Sequence, residues 1–283
     1  MGRKPTTTRI KKTDDSLTPI TRAPRTTGDL TIQIQTELKH KNERQKLLTT
    51  AIKTNDVVVC TGPAGTGKTF LSCSQALIEL KTNQVIKKIV LVKSVTTLKS
   101  EEIGFLKGSM EEKMEPFMYS FTGNFEKLIG KELFGKLKTD GYIEILPIAY
   151  LRGVNIDNAI IIIDETQNIS IDNIRTILTR LGKDSKMILL GDVKQIDSKN
   201  KFDSALKFLL DNFKNIGRIG IVEFTKEDII RHPLVKVIED IFDKVEATKL
   251  SDLKQSKPIP TSNNITNIKN KKSFFTKFLS FFK

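Results

Sequence analysis

Eight consecutive residues have the types and spacing of a phosphate cradle: Gly62-Pro63-Ala64-Gly65-Thr66-Gly67-Lys68-Thr69, matching G-x-x-x-x-G-K-[ST]. Glycines let backbone N–H groups crowd around an anion, and a helix beginning at the loop's end adds a favourable dipole. Lys68 would reach the β- and γ-phosphates of a nucleoside triphosphate, and Thr69 would place its hydroxyl on Mg²⁺. A Gly-rich turn before a helix could look similar. The flanks favour the cradle: residues 56–60 read as a buried strand and 70–80 as a helix.

A second cluster supplies the acids that such chemistry needs. Ile160-Ile161-Ile162-Ile163-Asp164-Glu165 is an apolar strand ending in two carboxylates. Asp164 would hold Mg²⁺ through its water shell, and Glu165 would orient or deprotonate an attacking water. That adjacency favours hydrolysis over transfer to a metabolite. The next apolar run, 187–190, leads into Gly191-Asp192-Val193-Lys194-Gln195. Gln195 is a candidate sensor of the γ-phosphate or of the lytic water. The alternative is an ordinary Gly-Asp turn.

The elements that must position these residues alternate. Helices are expected near 36–53, 68–80, 171–181, 203–213 and 234–247, and strands near 56–60, 88–93, 143–146, 159–163, 186–190 and 218–224. A mostly helical insert falls around 109–137. Continuous Ile/Val/Leu strands suit a sheet covered on both faces. Their alternation with helices predicts an α/β fold with a parallel sheet and ligands at the strands' C-terminal ends. One compact domain, 30–250, is expected between a basic arm at 1–29, rich in Thr, Lys, Arg and Pro and expected to be disordered, and a linker at 251–272.

The net charge of +14 is uneven: residues 1–29 carry +4 and residues 251–283 carry +6, leaving +4 between them. Such tails suit nucleic acid or an anionic membrane surface, or simply keep the chain soluble. In the last stretch Phe274, Phe278 and Phe281 recur at helical spacing, echoed by Phe275, Leu279 and Phe282. This tail reads as a membrane-surface anchor, a helix for a protein groove, or a segment that packs on its own domain. Two cysteines, Cys60 and Cys73, read as small buried hydrophobes in a reduced setting. The absence of a signal peptide or membrane-length apolar run predicts a cytoplasmic protein.

Taken together, these motifs resemble the superfamily 1 helicase core and, more closely, the PhoH-like family of P-loop ATPases. The resemblance rests on residues 62–69, on Gly104-Phe105-Leu106-Lys107-Gly108 with Glu112-Lys113 and Pro116, and on Leu151-Arg152-Gly153. It continues through Asp164-Glu165-Thr166-Gln167-Asn168, Leu178-Thr179-Arg180-Leu181-Gly182 and Arg231-His232-Pro233-Leu234-Val235. It implies a RecA-like P-loop NTPase fold, ATP with Mg²⁺, and a homo-oligomeric ring, expected to be a hexamer, acting on RNA or single-stranded DNA. It also implies that Asn42 and Gln45, from the family's N-x-x-Q segment, read adenine, and that Arg231 or Arg180 approaches the γ-phosphate. Val92-Lys93-Ser94-Val95 stands where the family has Thr-Arg-Pro; Lys107 replaces a proline, and the proline after Gln195-x-x is absent. A slow nucleotide-dependent switch that binds a partner through its tail is the second reading. With one P-loop, the arginine acts in cis or comes from a neighbouring subunit. The aromatic residues Phe105, Phe117, Tyr119, Phe121 and Phe125 cluster in the insert at mostly core-facing spacing.

Overall fold

The computed structural model describes residues 32–35, 38–93, 118–151, 153–196 and 203–255. The expected basic arm, the insert motif from Gly104 to Pro116, Arg152, the linker beyond Gln255 and the Phe-rich tail lie outside them. The chain divides into two compact units, one ending at Arg231 and one starting at His232.

Among the described residues of the first unit, six strands form one sheet. They are β1 (Val57–Thr61), β2 (Lys88–Lys93), β3 (Ile143–Pro147), β4 (Ala159–Asp164), β5 (Lys186–Gly191) and β6 (Ile219–Glu223), in the order β3-β2-β4-β5-β1-β6. Every pairing is parallel. The acid-bearing β4 is thus separated from the phosphate-loop strand β1 by β5 alone. Helices α1 (Glu43–Thr54), α2 (Lys68–Thr82), α3 (Tyr119–Ile129), α4 (Lys131–Thr139), α5 (Ile171–Leu178) and α6 (Ala205–Asn212) accompany it.

Both faces of the sheet are covered, as the apolar strands require. Ile160 and Ile162 join a core with Leu77, Phe121 and Phe125, whereas Ala159, Ile161 and Ile163 point to a second core with Ile174, Ile177 and Leu206. The expected RecA-like α/β architecture is therefore present, with the strands close to their expected bounds.

Two boundaries differ most from the sequence reading. Helix α1 begins at Glu43 rather than near 36, because the Asn42 side chain accepts from Gln45 N–H at 2.9 Å and caps it. In the second unit, α7 (Pro233–Gln255) outruns its expected end at 247, since no Gly or Pro interrupts it before Pro258. Within the insert, Phe121 and Phe125 are buried, Phe125 stacks on Phe134 at 5.6 Å, and Tyr119 is exposed; Phe105 and Phe117 lie outside the described residues. Cys60 and Cys73 are buried and unbridged. Burial pushes the Cys60 thiol up to about 12 and Cys73 well above its ordinary value, which makes both poor nucleophiles.

Candidate functional site

The phosphate loop leaves β1 at Thr61 and turns into α2 at Lys68. Gly62, Gly65 and Gly67 have φ of 144°, 88° and 91°, a region that side chains with a Cβ rarely adopt. Space is short as well. A Cβ on Gly62 would lie 2.5 Å from Phe224 Cβ, and one on Gly65 would lie 2.8 Å from Cγ and Cδ of Arg231. The loop is tied to its neighbours by Gly62 N–H to the Gly191 carbonyl at 3.2 Å and by Ile230 N–H to the Gly65 carbonyl at 3.0 Å. The buried Thr66 hydroxyl braces it from within, donating to the Pro63 carbonyl at 3.0 Å. The Lys68 ammonium donates to the carbonyls of Gly62 and Pro63 at 2.6 and 2.9 Å. Burial lowers its pKa from the ordinary lysine value, while the fields of Asp192, Asp164 and Glu165 oppose that shift.

The acids stand at the same end of the sheet. Lys93 of β2 pairs in register with Asp164, and Gly191 of β5 with Thr61. Burial, then the neighbouring Glu165, pushes the Asp164 carboxyl up to about 6, against the opposing field of Lys93. Glu165 follows in the left-handed region at φ 57°, uncommon for a residue with a side chain. Its carboxylate accepts from Gln167 Nε2 at 2.7 Å and lies 3.9 Å from Lys93 Nζ. The side chain of Gln167 is buried, and its Oε1 accepts from Asp192 N–H at 3.2 Å. Asp192 in turn accepts from Lys194 N–H at 2.9 Å and from the Gln195 amide at 3.1 Å. The exposed Gln195 thus sits on the turn that continues β5, beside the phosphate loop.

The other expected residues divide. The Gln45 amide is buried, donating to the Thr66 carbonyl at 3.0 Å and accepting from Lys41 N–H at 2.7 Å. Asn42 caps α1 and so orients Gln45. Arg231 lays its stem over Gly65 and has an exposed side chain. Arg180 is not brought to the loop. Its carbonyl accepts from Ile156 N–H at 3.1 Å, and the adjoining Leu181 pairs with Ile156, which precedes β4; this is the opposite end of the sheet from Asp164. The Arg180 guanidinium bonds to Thr176 and Thr179 of its own helical segment.

The residues present fit a magnesium–nucleotide complex. Among the described residues no group of three or more His, Cys, Asp or Glu could hold a metal ion by itself. Mg²⁺ commonly takes one or two carboxylates and completes its shell with phosphate oxygens and waters. The Asp164 carboxyl and Thr69, the residue after Lys68, are the residues that would supply that small protein share. Among the described residues no helix is long and apolar enough to cross a membrane.

A family model described as PhoH-like protein matches residues 37–243, which include the loop, both acids, Gln45, Gln195 and Arg231. The chain belongs to the PhoH family. This PhoH-family chain is 39% identical over 207 residues to the PhoH-like protein of Bacillus subtilis (strain 168), covering 73% of this chain and 64% of that one. It is 37% identical over 209 residues to the PhoH-like protein of Mycobacterium tuberculosis (strain ATCC 25618 / H37Rv), covering 74% and 59%. With Protein PhoH of Escherichia coli (strain K12) it shares 33% over 196 residues, 69% of this chain and 55% of that one. The chain therefore spans between 55% and 64% of the length of these curated relatives. Among solved structures, the large terminase from a thermophilic bacteriophage is similar at a TM-score of 0.42 and 12% identity, over 67% of this chain and 47% of that one.

Two residues of the PhoH-family site carried no role in the sequence reading. Gln167 appeared only as part of a motif, and Lys93 only as a departure from one. The available signal was that each stands at or just beyond the C-terminal end of an apolar strand, where an α/β sheet presents its ligands.

Proposed function

We propose that this protein hydrolyses ATP, with Glu165 activating water against a γ-phosphate cradled by residues 62–69. The observation that carries the reading is the meeting of three strand ends: the loop after β1, Asp164–Glu165 at the end of β4 and the Gln195 turn after β5. Lys68 neutralises the β- and γ-phosphates. When bound, Mg²⁺ would withdraw charge from the phosphate oxygens, and Thr69 and Asp164 are the residues that would hold it. Gln195 orients the water or senses the γ-phosphate. The Gln45 amide retains one further donor and acceptor position with which to read adenine, and its bond to Thr66 would carry that reading to the loop. Arg231 stabilises transition-state charge in cis, because its stem already lies on Gly65 of its own chain.

Phosphate release tests the core of this reading. Glu165→Gln should lower kcat by about 100-fold or more with Mg·ATP binding retained, while Lys68→Ala should lose both. Wild-type hydrolysis by Glu165→Gln would take water activation away from Glu165, and no phosphate release by the wild-type chain would overturn ATP hydrolysis itself. RNA or single-stranded DNA is proposed as the partner from the net charge of +14. Stimulation of hydrolysis by either, falling steeply with salt, is the expected outcome. The partner-binding switch is favoured by one observation: Leu234, Val237, Ile238, Ile241, Phe242 and Val245 recur along α7 at helical spacing and are all exposed. Hydrolysis indifferent to nucleic acid would favour that second reading.

A further inference from the structure

Beyond the ends of the paired strands, one side chain links the Glu165 carboxylate after β4 to the turn after β5. Gln167 Nε2 donates to Glu165 Oε2 at 2.7 Å, and Gln167 Oε1 accepts from Asp192 N–H at 3.2 Å. Its backbone carbonyl accepts from Ser204 Oγ at 3.0 Å, so the turn beneath it is anchored too. The fit is close, since a Cβ on Gly191 would stand 2.5 Å from Gln167 Oε1. Neither end of the amide can turn away without leaving a buried polar group unpaired. The partner at one end is the carboxylate assigned to water. At the other is the residue whose own carboxylate holds the Gln195 amide at 3.1 Å.

Glu165 needs such support. It sits at φ 57°, a conformation that persists only where its surroundings over-determine it. Lys93 lies 3.9 Å from the other carboxylate oxygen, beyond hydrogen-bond distance, and so leaves the carboxylate's direction to Gln167.

The geometry points to Gln167 as a positioning residue: it aims the Glu165 carboxylate and ties it to the β5 turn, so that the water-activating group and Gln195 are set together. This rests on the ATPase reading above. Gln167 itself transfers no proton. Its amide donates one hydrogen bond and accepts another, and both would persist through turnover.

Steady-state phosphate release and ADP affinity, measured on the full chain, test this role. Gln167→Glu keeps an acceptor for Asp192 N–H but replaces the donor to Glu165 with an oxygen. Its kcat should fall by about ten-fold or more, with the ATP KM and ADP affinity within about two-fold of wild type. Gln167→Met, neutral and similar in size, covers the case in which a buried carboxylate unfolds the chain, and should show the same split. Adding Gln195→Ala to Gln167→Met should cost less than the product of the single losses. Full kcat in both Gln167 variants, with Glu165→Gln inactive, overturns the positioning role and leaves the ATPase reading standing. Loss of ADP affinity in step with kcat overturns it as well, as does a fully multiplicative double variant. An active Glu165→Gln overturns the positioning role together with the assignment of water activation to Glu165, whereas a wild-type chain that releases no phosphate overturns the ATPase reading.

Discussion

Asp164 is held where its charge is poorly solvated. Burial and the adjacent Glu165 raise its pKa to about 6, above the usual aspartate range, so the folded chain holds this proton more tightly than the unfolded chain does. A raised folded pKa gives stability that is fully present below the unfolded value, near 3.9, and is lost as pH rises through about 6. Asp164→Asn, neutral throughout, should therefore melt several degrees higher than wild type at pH 7.5 without nucleotide. The gap should close as pH falls toward about 4. Thermal melts of both proteins at both pH values check this, and a lower melting temperature for the variant at pH 7.5 would contradict it. Mg·ADP should reverse the order at pH 7.5, because a cation favours the ionised carboxylate that only wild type has.

The phosphate loop works as an element because neighbouring segments close on it. Gly65 has no room for a Cβ: φ is 88°, and the Arg231 stem lies 2.8 Å from where the added atom would stand. Gly65→Ala should displace Arg231 and lower kcat by about ten-fold or more. Gly123→Ala in α3 is the matched control. It has nothing within 4 Å of an added Cβ and lies inside a helix, where Ala is the better residue by about 0.5–1 kcal/mol. It should leave phosphate release unchanged and the melting temperature unchanged or slightly raised. The start of α1 shows how one polar residue sets an element boundary. Apolar spacing extends the helix back to about 36, whereas the Asn42 cap begins it at Glu43 and aims Gln45 at the loop.

At the scale of the whole molecule, the position of the arginine decides what assembly is for. With Arg231 acting in cis, a ring would not be needed to complete the site. Mixing Lys68→Ala subunits with Arg231→Ala subunits should then give no more activity than the two variants separately. Restored hydrolysis would show that the arginine crosses between subunits. Arg180, at the far end of the sheet, could reach a phosphate only from a neighbouring subunit. The basic C-terminal segment belongs to this scale too. A chain ending at Gln255 loses six lysines and no acidic residue. It should keep basal phosphate release while its stimulation by RNA or single-stranded DNA weakens and becomes less steep in salt.

Local spacing was enough to find the phosphate loop, both acids and the alternating elements. Glycine content, apolar runs and helical periodicity report dihedral preference and burial over a few residues, and these features are local. Strand order is not local. Nothing in the spacing of Gln167 says that β4 lies beside β5, so its bridge from Glu165 to Asp192 became visible only in the folded chain. Likewise Gln45 meets Thr66 across 21 positions, and Arg231, which follows β6 in the chain, lies over Gly65. Arg180, close in sequence to the acids, ends up at the opposite end of the sheet because α5 carries the chain from the end of β4 back to the start of β5. The residue types and order thus determine a glycine-rich loop between a strand and a helix, with acids at the end of another strand. Only the packing of the parallel strands decides which side chains hold those acids and which arginine stands beside the loop, because those contacts depend on neighbours far apart in the chain.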